Sequence, residues 1–275
     1  MLILAATPLG NPQDASDSLK SAITSCKFIA AEDSRKFARL CADLGIIYDA
    51  KVISFFEGNE VERIAELTKI LSEGNDLLVV TDAGMPGVSD PGYRLVRAAI
   101  DAKIKIKVIP GPSAVTTALL LSGLPTDRFC FEGFAPRTSG PRISWFEELA
   151  NEERTIIFFE APHRLVDSLT DALKVFGENR VGAICRELTK TYEEVKRGSL
   201  SELLTWAKSK EILGEITVVL SGFDRSDIEV SNEDLVSQVL KIEAAGIARK
   251  EAIAEVAKVT GIAKRRIFDA MVEHK

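Results

Sequence analysis

The chain has 275 residues, which is enough for two domains of ordinary size, and 46% of its residues are apolar. No apolar run approaches the roughly 18 residues that cross a bilayer, and the first apolar run lacks the basic residues of a signal peptide. The four cysteines are scattered, which argues against disulfides and a cysteine zinc site. The formal charge of −6 argues against a generic nucleic-acid coat but permits a local nucleic-acid site. We therefore expect a cytoplasmic globular protein with no membrane partner.

Strand patterns alternate with amphipathic helix patterns over residues 1–122, which we predict to be an N-terminal α/β domain. The predicted strands are 2–6, 27–31, 51–56, 77–80 and 104–109. The predicted helices are 14–25, 34–44, 61–71, 93–102 and 114–121, and Asp33 or Ser34 caps the second of them. This alternation indicates a mostly parallel sheet that is covered on both faces. Parallel strands would bring the Gly- and Pro-rich loops at 7–11, 82–90 and 110–113 to one edge, where they would form a cleft.

A second α/β domain is predicted over residues 123–225, with strands 129–134, 154–159, 181–185 and 215–220. Its predicted helices are 143–150, 165–176 and 200–208. Residues 231–275 then show three helical stretches, about 233–244, 249–259 and 264–273, which Gly246 and Gly261 separate. This small, mildly basic extension resembles a helix-turn-helix unit that binds nucleic acid, although a capping or dimerising appendage fits equally well.

The loop after the strand at Leu77–Val80 is the strongest local signal in the chain. Glycines and prolines separate Asp82 from Asp90 in this loop, and glycines let a ligand approach the backbone closely. Two acids in such a loop could form a magnesium site. The alternative is that Asp82 shapes the turn and Asp90 caps the helix that follows. We favour a loop that binds a small cofactor without a metal, with Asp90 as the helix cap.

Three further segments restrict the chemistry. Residues Thr7–Asn11 match neither the P-loop pattern nor the Gly-x-Gly-x-x-Gly pattern, so we expect no nucleoside triphosphate or NAD site of the usual type. The segment Arg186–Lys190 mixes charges at a strand end, where Glu187 or Lys190 faces either a polar substrate or solvent. His163 is one of two histidines, which is too few for a His-rich metal site. It would orient a substrate or cap the helix after it.

Six segments in series resemble the bacterial ribosomal RNA small-subunit methyltransferase I family, which belongs to the tetrapyrrole-methylase-like superfamily. These segments are Ala6–Asn11, Ala31–Arg35, Thr81–Gly92, Pro110–Ala114, Phe159–Arg164 and Arg186–Lys190. The match runs from residue 2 to about residue 222, and the helical tail also resembles the extension of that family. One departure is visible, because Gly58 stands where the family commonly has a histidine. A role for that histidine is therefore ruled out in this chain.

The resemblance implies a two-domain class III α/β methyltransferase with a small C-terminal helical extension, which holds S-adenosylmethionine (SAM) in the cleft between its domains. It implies 2′-O-methylation of a cytidine in the decoding region of small-subunit (16S) ribosomal RNA, with that RNA or the 30S subunit as partner, and a homodimer. Residues Thr7–Asn11 should form the floor on the substrate side. The implied cofactor-binding residues are Pro8, Asp82, Ala83, Gly84, Met85, Val88, Ser113, Ala114, Phe159, Glu160, Leu188, Thr189, Glu215 and Ile216.

Methyl transfer to a ribose hydroxyl should need help from a base or a polarising cation, because the hydroxyl is a weak acid. The sequence leaves the choice open among Glu32, Asp33, Arg35, Glu57, Asn59, Glu187 and Lys190. We hypothesise that an acid of the first domain accepts the proton, while Lys190 or Arg35 holds the adjacent phosphate. The helical tail and local cations would contact the RNA. These cations are Arg35, Lys36, Arg39, Arg137, Arg142, Arg164, Lys196 and Arg197.

Two alternatives remain open at the level of the sequence. The first is a SAM-dependent methyltransferase that acts on a tetrapyrrole-like small molecule, which predicts a roomy apolar cleft and no need for a basic tail. The second is a non-catalytic module that binds nucleic acid through its helical tail, which predicts no cofactor binding.

Overall fold

A computed structural model describes residues 1–224, 231–260 and 262–274. Five strands form a first sheet: β1 (Leu2–Ala5), β2 (Phe28–Ala31), β3 (Lys51–Ser54), β4 (Leu77–Val80) and β5 (Ile106–Ile109). Their order is β3-β2-β4-β1-β5, and every neighbouring pair is parallel. All four residues of β1 and all four of β4 are buried, as expected for apolar strands in the middle of a sheet with two covered faces. The predicted parallel sheet is confirmed.

Helices connect these strands, and the last of them leads from β5 towards the second sheet. They are α1 (Asp17–Ser25), α2 (Ser34–Asp43), α3 (Glu60–Ser72), α4 (Tyr93–Asp101) and α5 (Ala114–Ser122). The prediction for the start of α2 is confirmed, because the Asp33 side chain accepts a hydrogen bond from the Arg35 N–H.

The parallel arrangement brings the loops after β1, β4 and β5 to one edge of the sheet, as the sequence predicted. The first two loops are joined directly, because Thr7 and Gly84 exchange two backbone hydrogen bonds of 2.9 and 3.1 Å. The Thr7 hydroxyl also donates to the Thr81 carbonyl at 3.0 Å. The buried Thr7 therefore holds the two loops at a fixed separation.

The second sheet is mainly antiparallel. Its strands are β6 (Phe129–Phe134), β7 (Thr155–Glu160), β8 (Val181–Arg186), β9 (Glu194–Ser199) and β10 (Ile216–Leu220). Their order is β6-β7-β10-β8-β9, and only β6 and β7 run parallel among these strands of the described chain. Strand β9 has no counterpart among the predicted strands. Its charged residues Glu194, Lys196 and Arg197 occur on an edge strand, where charges are common.

We call the part of the chain with the first sheet the first half and the part with the second sheet the second half. The helices of the second half are α6 (Ser139–Glu148), α7 (Leu165–Phe176) and α8 (Leu200–Lys208). Helix α6 begins four residues before its predicted start at 143. The prediction treated Gly140 and Pro141 as loop residues. Proline is tolerated in the first turn of a helix, because the N–H that it lacks would have no partner there.

Helix α5 joins the two halves. Its Val115, Ala118 and Leu119 share an apolar cluster with residues of the second sheet, including Ile157 and Val219. Residues 1–150 and 154–221 consequently form one compact unit with two sheets. The boundary at residue 122 between two α/β domains stays a prediction.

The other unit comprises residues 151–153 and 222–275. Its helices are α9 (Asn232–Ala244), α10 (Arg249–Thr260) and α11 (Lys264–Glu273), which surround their own apolar core. Some predicted positions lie outside the described residues. They are the predicted domain ends at residues 225 and 275 and the predicted helix break at residue 261. No helix of the described chain is both long and apolar enough to span a membrane.

Candidate functional site

A cavity of about 310 Å³ lies at the carboxyl edge of the first sheet. Its walls come from the loops after β1, β2, β4 and β5, and from the second half at the ends of β6 and β7 and at the start of β10. This volume is at the lower end of the roughly 300–1,000 Å³ that is usual for small-molecule sites. The cavity is thus built jointly by the two halves of the α/β unit.

Many residues that the sequence proposed for the site line this cavity. From the cofactor set these are Asp82, Ala83, Gly84, Met85, Val88, Ser113, Ala114, Phe159, Glu160, Glu215 and Ile216, and from the catalytic set Glu32. The remaining candidates lie outside the lining. They are Pro8, Leu188 and Thr189 of the cofactor set, and Asp33, Arg35, Glu57, Asn59, Glu187 and Lys190 of the catalytic set.

Some lining residues were not proposed for the cofactor site. They include Leu9, Lys36, Ser89, Asp90, Val115, Phe134 and Gly214. Leu9 belongs to the predicted substrate floor. The sequence offered a usable signal for Phe134, because this residue ends a strand as Phe159 nearly does. In the structure, Phe134 packs edge-on against Phe159, with ring centroids 5.4 Å apart.

The loop after β4 contains backbone conformations that restrict its residues. Gly84 and Gly87 have φ angles of +79° and +84°, a region that side-chain-bearing residues seldom adopt. A Cβ added to Gly84 would lie 3.5 Å from Cδ2 of Leu9, on the cavity wall. Glycine at this position therefore permits both the turn and the free space above it.

The predicted role of Asp90 as the cap of the next helix is wrong. The N-cap residue of α4 is Gly92, and no side chain at that position caps the helix. The cap is supplied from α3, because Oε1 of Glu60 accepts hydrogen bonds from the N–H groups of Gly92 and Arg94 at 3.1 and 3.2 Å. Asp90 is left facing the cavity.

Glu32, Asp82 and Lys36 form a connected group at the ends of β2 and β4. Oε2 of Glu32 accepts the Asp82 N–H at 3.1 Å, and Nζ of Lys36 donates to Oδ2 of Asp82 at 2.7 Å. The bond to Asp82 raises the pKa of Lys36. Burial, joined by the charge of Asp82, raises the pKa of Glu32 despite the hydrogen bond that it accepts. The cluster therefore keeps Lys36 cationic and makes Glu32 easier to protonate.

Asp90 has the most perturbed carboxyl group of the cavity. Burial, followed by the charges of Glu32 and Asp82, raises its pKa to about 7. No ion-pair partner is found for Asp90 within the described part of the chain. Among the described residues, no group of three or more His, Cys, Asp or Glu side chains is arranged to hold a metal ion.

Asp33 and Arg35 form a surface pair beside the cavity. Nη2 and Nε of Arg35 donate to the two carboxylate oxygens of Asp33 at 2.8 and 3.1 Å. These hydrogen bonds hold the pKa of Asp33 well below its usual range. Asp33 is therefore a weak proton acceptor, and its observed role is to begin α2 and to hold Arg35.

Asn59 shapes the loop after β3. Its Oδ1 accepts the Phe56 N–H at 2.8 Å, and its Nδ2 donates to the Ser54 carbonyl at 3.1 Å. Glu57 is exposed in the same loop. Neither side chain lines the cavity.

Lys190 connects the second half to the rim of the cavity. Its Nζ donates to Oε1 of Glu187 at 2.8 Å and to Oε2 of Glu215 at 3.0 Å. Burial alone would lower the pKa of Lys190, but these two bonds outweigh it and raise the pKa. A Cβ on Gly10 would clash with the Lys190 side chain, so the first half approaches this turn closely. Lys190 therefore reaches the site through Glu215.

The turn that carries Lys190 is also held by hydrogen bonds. The Asn11 N–H donates to the Thr189 hydroxyl at 3.1 Å, and the Thr189 N–H donates to Glu193 at 2.7 Å. Glu187 and Thr189 have positive φ angles of +53° and +61°. The predicted segment thus fixes the contact between the two halves of the α/β unit.

Glu160 is buried at the end of β7 and carries an unused acceptor. Its Oε1 accepts the Ala161 N–H at 2.8 Å and pairs with Nη2 of Arg164 at 2.6 Å. Its Oε2 is buried and has no hydrogen-bond partner among the described residues. Since buried polar atoms are normally paired, this oxygen indicates a missing donor.

Arg142 cannot contact RNA as predicted. Its side chain is only 3% exposed, and its Nη2 pairs with Oδ2 of Asp171 at 2.7 Å. Arg164 is also largely buried, against Glu160. Arg35 and Arg39 of the predicted RNA surface remain exposed on α2.

Comparison of this chain with known proteins identifies the family to which it belongs. Residues 1–204 match the model of the Tetrapyrrole (Corrin/Porphyrin) Methylases. The ribosomal RNA small subunit methyltransferase I of Mycobacterium bovis is 49% identical over 100% of this chain and 95% of its own length. The protein of the same name from Halalkalibacterium halodurans is 42% identical, over 98% of this chain and 93% of its own. The chain belongs to the tetrapyrrole methylase family. Within that family it groups with these methyltransferase I proteins, so it is a methyltransferase, as the sequence predicted.

A solved methyltransferase shares this fold. The uroporphyrin-III C-methyl transferase of Thermus thermophilus, solved as a complex with S-adenyl homocysteine, superposes with a TM-score of 0.57. It is 14% identical and covers 80% of this chain and 96% of its own. The predicted fold class, a two-domain class III methyltransferase fold with a helical extension, is confirmed by this family membership.

Proposed function

We propose that this chain transfers the methyl group of SAM to the 2′-oxygen of a cytidine in the decoding region of small-subunit ribosomal RNA. The observation that carries the proposal is the cavity, in which acidic and apolar side chains from both halves surround a space of small-molecule size. Relatives that match over nearly their full length are named as ribosomal RNA small subunit methyltransferases, which supports the substrate class.

The cavity residues fit SAM. The cofactor carries a sulfonium and an ammonium group, and Glu32 and Asp82 offer carboxylates to such cations. The apolar side chains of Phe159 and Ile216 offer a surface to the adenosyl part. The unused Oε2 of Glu160 offers an acceptor to a ligand N–H or O–H group. When bound, the cofactor supplies an activated methyl group, so the protein has to align the acceptor oxygen with it and remove a proton.

Helix α2 is the element that best fits an RNA backbone beside the cavity. Arg35, Lys36 and Arg39 extend from it, and Lys36 also lines the cavity. Each of these side chains is more than half exposed. Phosphate contacts of this kind should make RNA binding fall as salt concentration rises. An RNA affinity that stays constant between low and high salt would contradict this assignment.

The experiment is methyl transfer from tritiated SAM to 30S subunits that lack the modification. We expect label in small-subunit RNA, at a cytidine whose 3′ phosphodiester then resists alkali. The matched control is the same RNA with 2′-deoxycytidine at the target position, which should accept no label. Label on a tetrapyrrole-like small molecule but not on RNA would favour the alternative function. Absence of SAM binding by calorimetry would refute both.

The predicted homodimer belongs to the same proposal. Its test is the mass of the purified protein by light scattering, for which the dimer value is expected and a monomer mass at micromolar concentration would refute it.

A further inference from the structure

Asp90 is a cavity carboxylate whose position sequence patterns do not explain. It lies in the loop after β4, two residues beyond Val88, and both residues line the cavity. The next helix takes its cap from Glu60 instead, so Asp90 has no capping role. Its side chain is thus available for a role inside the cavity.

The charged groups around Asp90 come from several elements. Glu32 at the end of β2, Asp82 at the end of β4 and Glu215 before β10 all act on its carboxyl group and make ionisation harder. The two lysines nearby are engaged elsewhere, Lys36 by Asp82 and Lys190 by Glu215. Asp90 therefore stands among acids without a cation of its own in the described chain.

The other cavity acids of the described chain accept hydrogen bonds, and Glu160 accepts the Ala161 N–H. Asp82 accepts from Lys36, Glu215 accepts from Lys190, and Glu32 accepts the Asp82 N–H. The Thr81 hydroxyl lies near Asp90 and favours the charged form of that carboxyl group. The hydroxyl itself is buried, and no hydrogen-bond partner for it is found in the described chain. Asp90 thus combines access to the cavity with the strongest tendency to bind a proton.

We propose that the Asp90 carboxylate accepts the proton that the substrate hydroxyl loses during methyl transfer. The inference rests on the proposed function and adds a catalytic residue to it. In the balanced step the hydroxyl oxygen forms the new O–C bond, the C–S bond breaks, and its electron pair stays on sulfur. The hydroxyl proton moves to Oδ of Asp90, which releases it to solvent before the next turnover.

The change in charge on sulfur favours ionised Asp90 before methyl transfer and protonated Asp90 after it. While a positive sulfonium lies in the cavity, Asp90 is ionised more readily and is ready to act as a base. Once sulfur has become a neutral thioether, the surrounding acids again raise the proton affinity of Asp90. A raised pKa near the working pH is what a general base requires.

The first test measures protons on cofactor binding, without turnover. Calorimetric titration with SAM at pH 7, in two buffers of different ionisation enthalpy, should show proton release, because burial and the neighbouring acids raise the pKa of Asp90 when no cofactor is bound. S-adenosylhomocysteine, which lacks the sulfonium, should release less. In Asp90→Asn the difference between the two ligands should disappear. An unchanged difference in that variant would overturn the proposal.

The second test is single-turnover methyl transfer to 30S subunits between pH 5.5 and 9. For the wild-type protein we expect the rate at saturating SAM to fall tenfold per pH unit on the acid side, with a midpoint at or below 7, because protonated Asp90 cannot act as a base. Asp90→Asn should be slower by a factor of roughly 10²–10⁴ and should lose this acid limb. Asp90→Glu should restore part of the rate. Asp101→Asn, an exposed change at the end of α4, is the matched control and should behave as wild type.

Each outcome decides between distinct conclusions. If the wild-type protein neither binds SAM nor methylates RNA, the proposed function fails. If it methylates RNA and Asp90→Asn keeps the rate and the acid limb, only the role of Asp90 fails. If Asp90→Asn loses affinity for S-adenosylhomocysteine but reacts normally at saturation, Asp90 binds the cofactor and is not the base. If Glu32→Gln and not Asp90→Asn removes the acid limb, Glu32 takes the role.

Discussion

Replacing Arg142 with methionine should destabilise the α/β unit without changing the chemistry of the site. Nη2 and Nε of Arg142 donate to Oδ2 of Asp171 at 2.7 and 3.0 Å, and both side chains are less than 5% exposed. Breaking a buried ion pair by removing one partner costs about 3–5 kcal/mol, because the other charge stays buried. Asp171 would retain Lys174 at 2.9 Å and Ser139 at 3.0 Å. We therefore expect a loss at the lower end, about 3 kcal/mol.

The assay is urea unfolding followed by tryptophan fluorescence, since Trp145 packs on Phe146 and Phe158 in the core next to this pair. Arg137→Met is the matched control, because Arg137 is an exposed arginine in the loop before α6. It should leave the unfolding midpoint unchanged. If Arg142→Met kept wild-type stability and weakened RNA binding instead, Arg142 would be an RNA contact and the inference from burial would be refuted.

Three further changes test other parts of the unit. Gly84→Ala should weaken binding of S-adenosylhomocysteine, measured by calorimetry, and should cost about 1–2 kcal/mol of stability because of the positive φ. Gly74 has a similar φ in open space, so Gly74→Ala should reproduce only the stability loss. Glu60→Ala should lower the free energy of unfolding by about 0.5–2 kcal/mol because it removes the cap of α4, and Glu62→Ala, exposed on the same helix, should not. Burial alone would raise the pKa of Asp171, but the donors around it outweigh burial and lower it. The stability from this lowered pKa should be complete above about pH 4 and be lost as pH falls further, and an acid unfolding midpoint unchanged in Asp171→Asn would contradict this.

The first sheet was predictable because its information is local. Short apolar runs such as Leu77–Val80, bounded by turn residues, favour strands of a covered sheet, and the glycines after them mark where the chain turns. The second sheet was harder. Strand β9 (Glu194–Ser199) has charged residues on an edge, and its identity depends on pairing with β8, which no local pattern records.

Several residues proposed from the sequence line the cavity, whereas the proposed roles of Asp90 and Arg142 are wrong. The β4 loop was proposed as a ligand site because its glycines and acids are unusual in themselves, and it lines the cavity. Asp90 was misread as a cap because the true cap, Glu60, is a tertiary contact from a residue 32 positions away from Gly92. Arg142 looked like a surface cation for the same reason, since its partner Asp171 lies 29 positions away. Local spacing carries propensity, whereas burial and pairing depend on the whole fold.

The pairing of charges in the cavity explains how one site can serve a cationic cofactor and an anionic polymer. Lys36 neutralises Asp82 in the first half, and Lys190 neutralises Glu215 at the rim. The cavity therefore keeps a surplus of acid in Glu32 and Asp90, which attracts a positive ligand and repels phosphate. Under the proposed function, an RNA backbone would find its favourable contacts outside, on the arginines of α2, while a neutral ribose hydroxyl would enter. The same surplus raises the proton affinity of Asp90, so exclusion of phosphate and preparation of the base have one electrostatic cause.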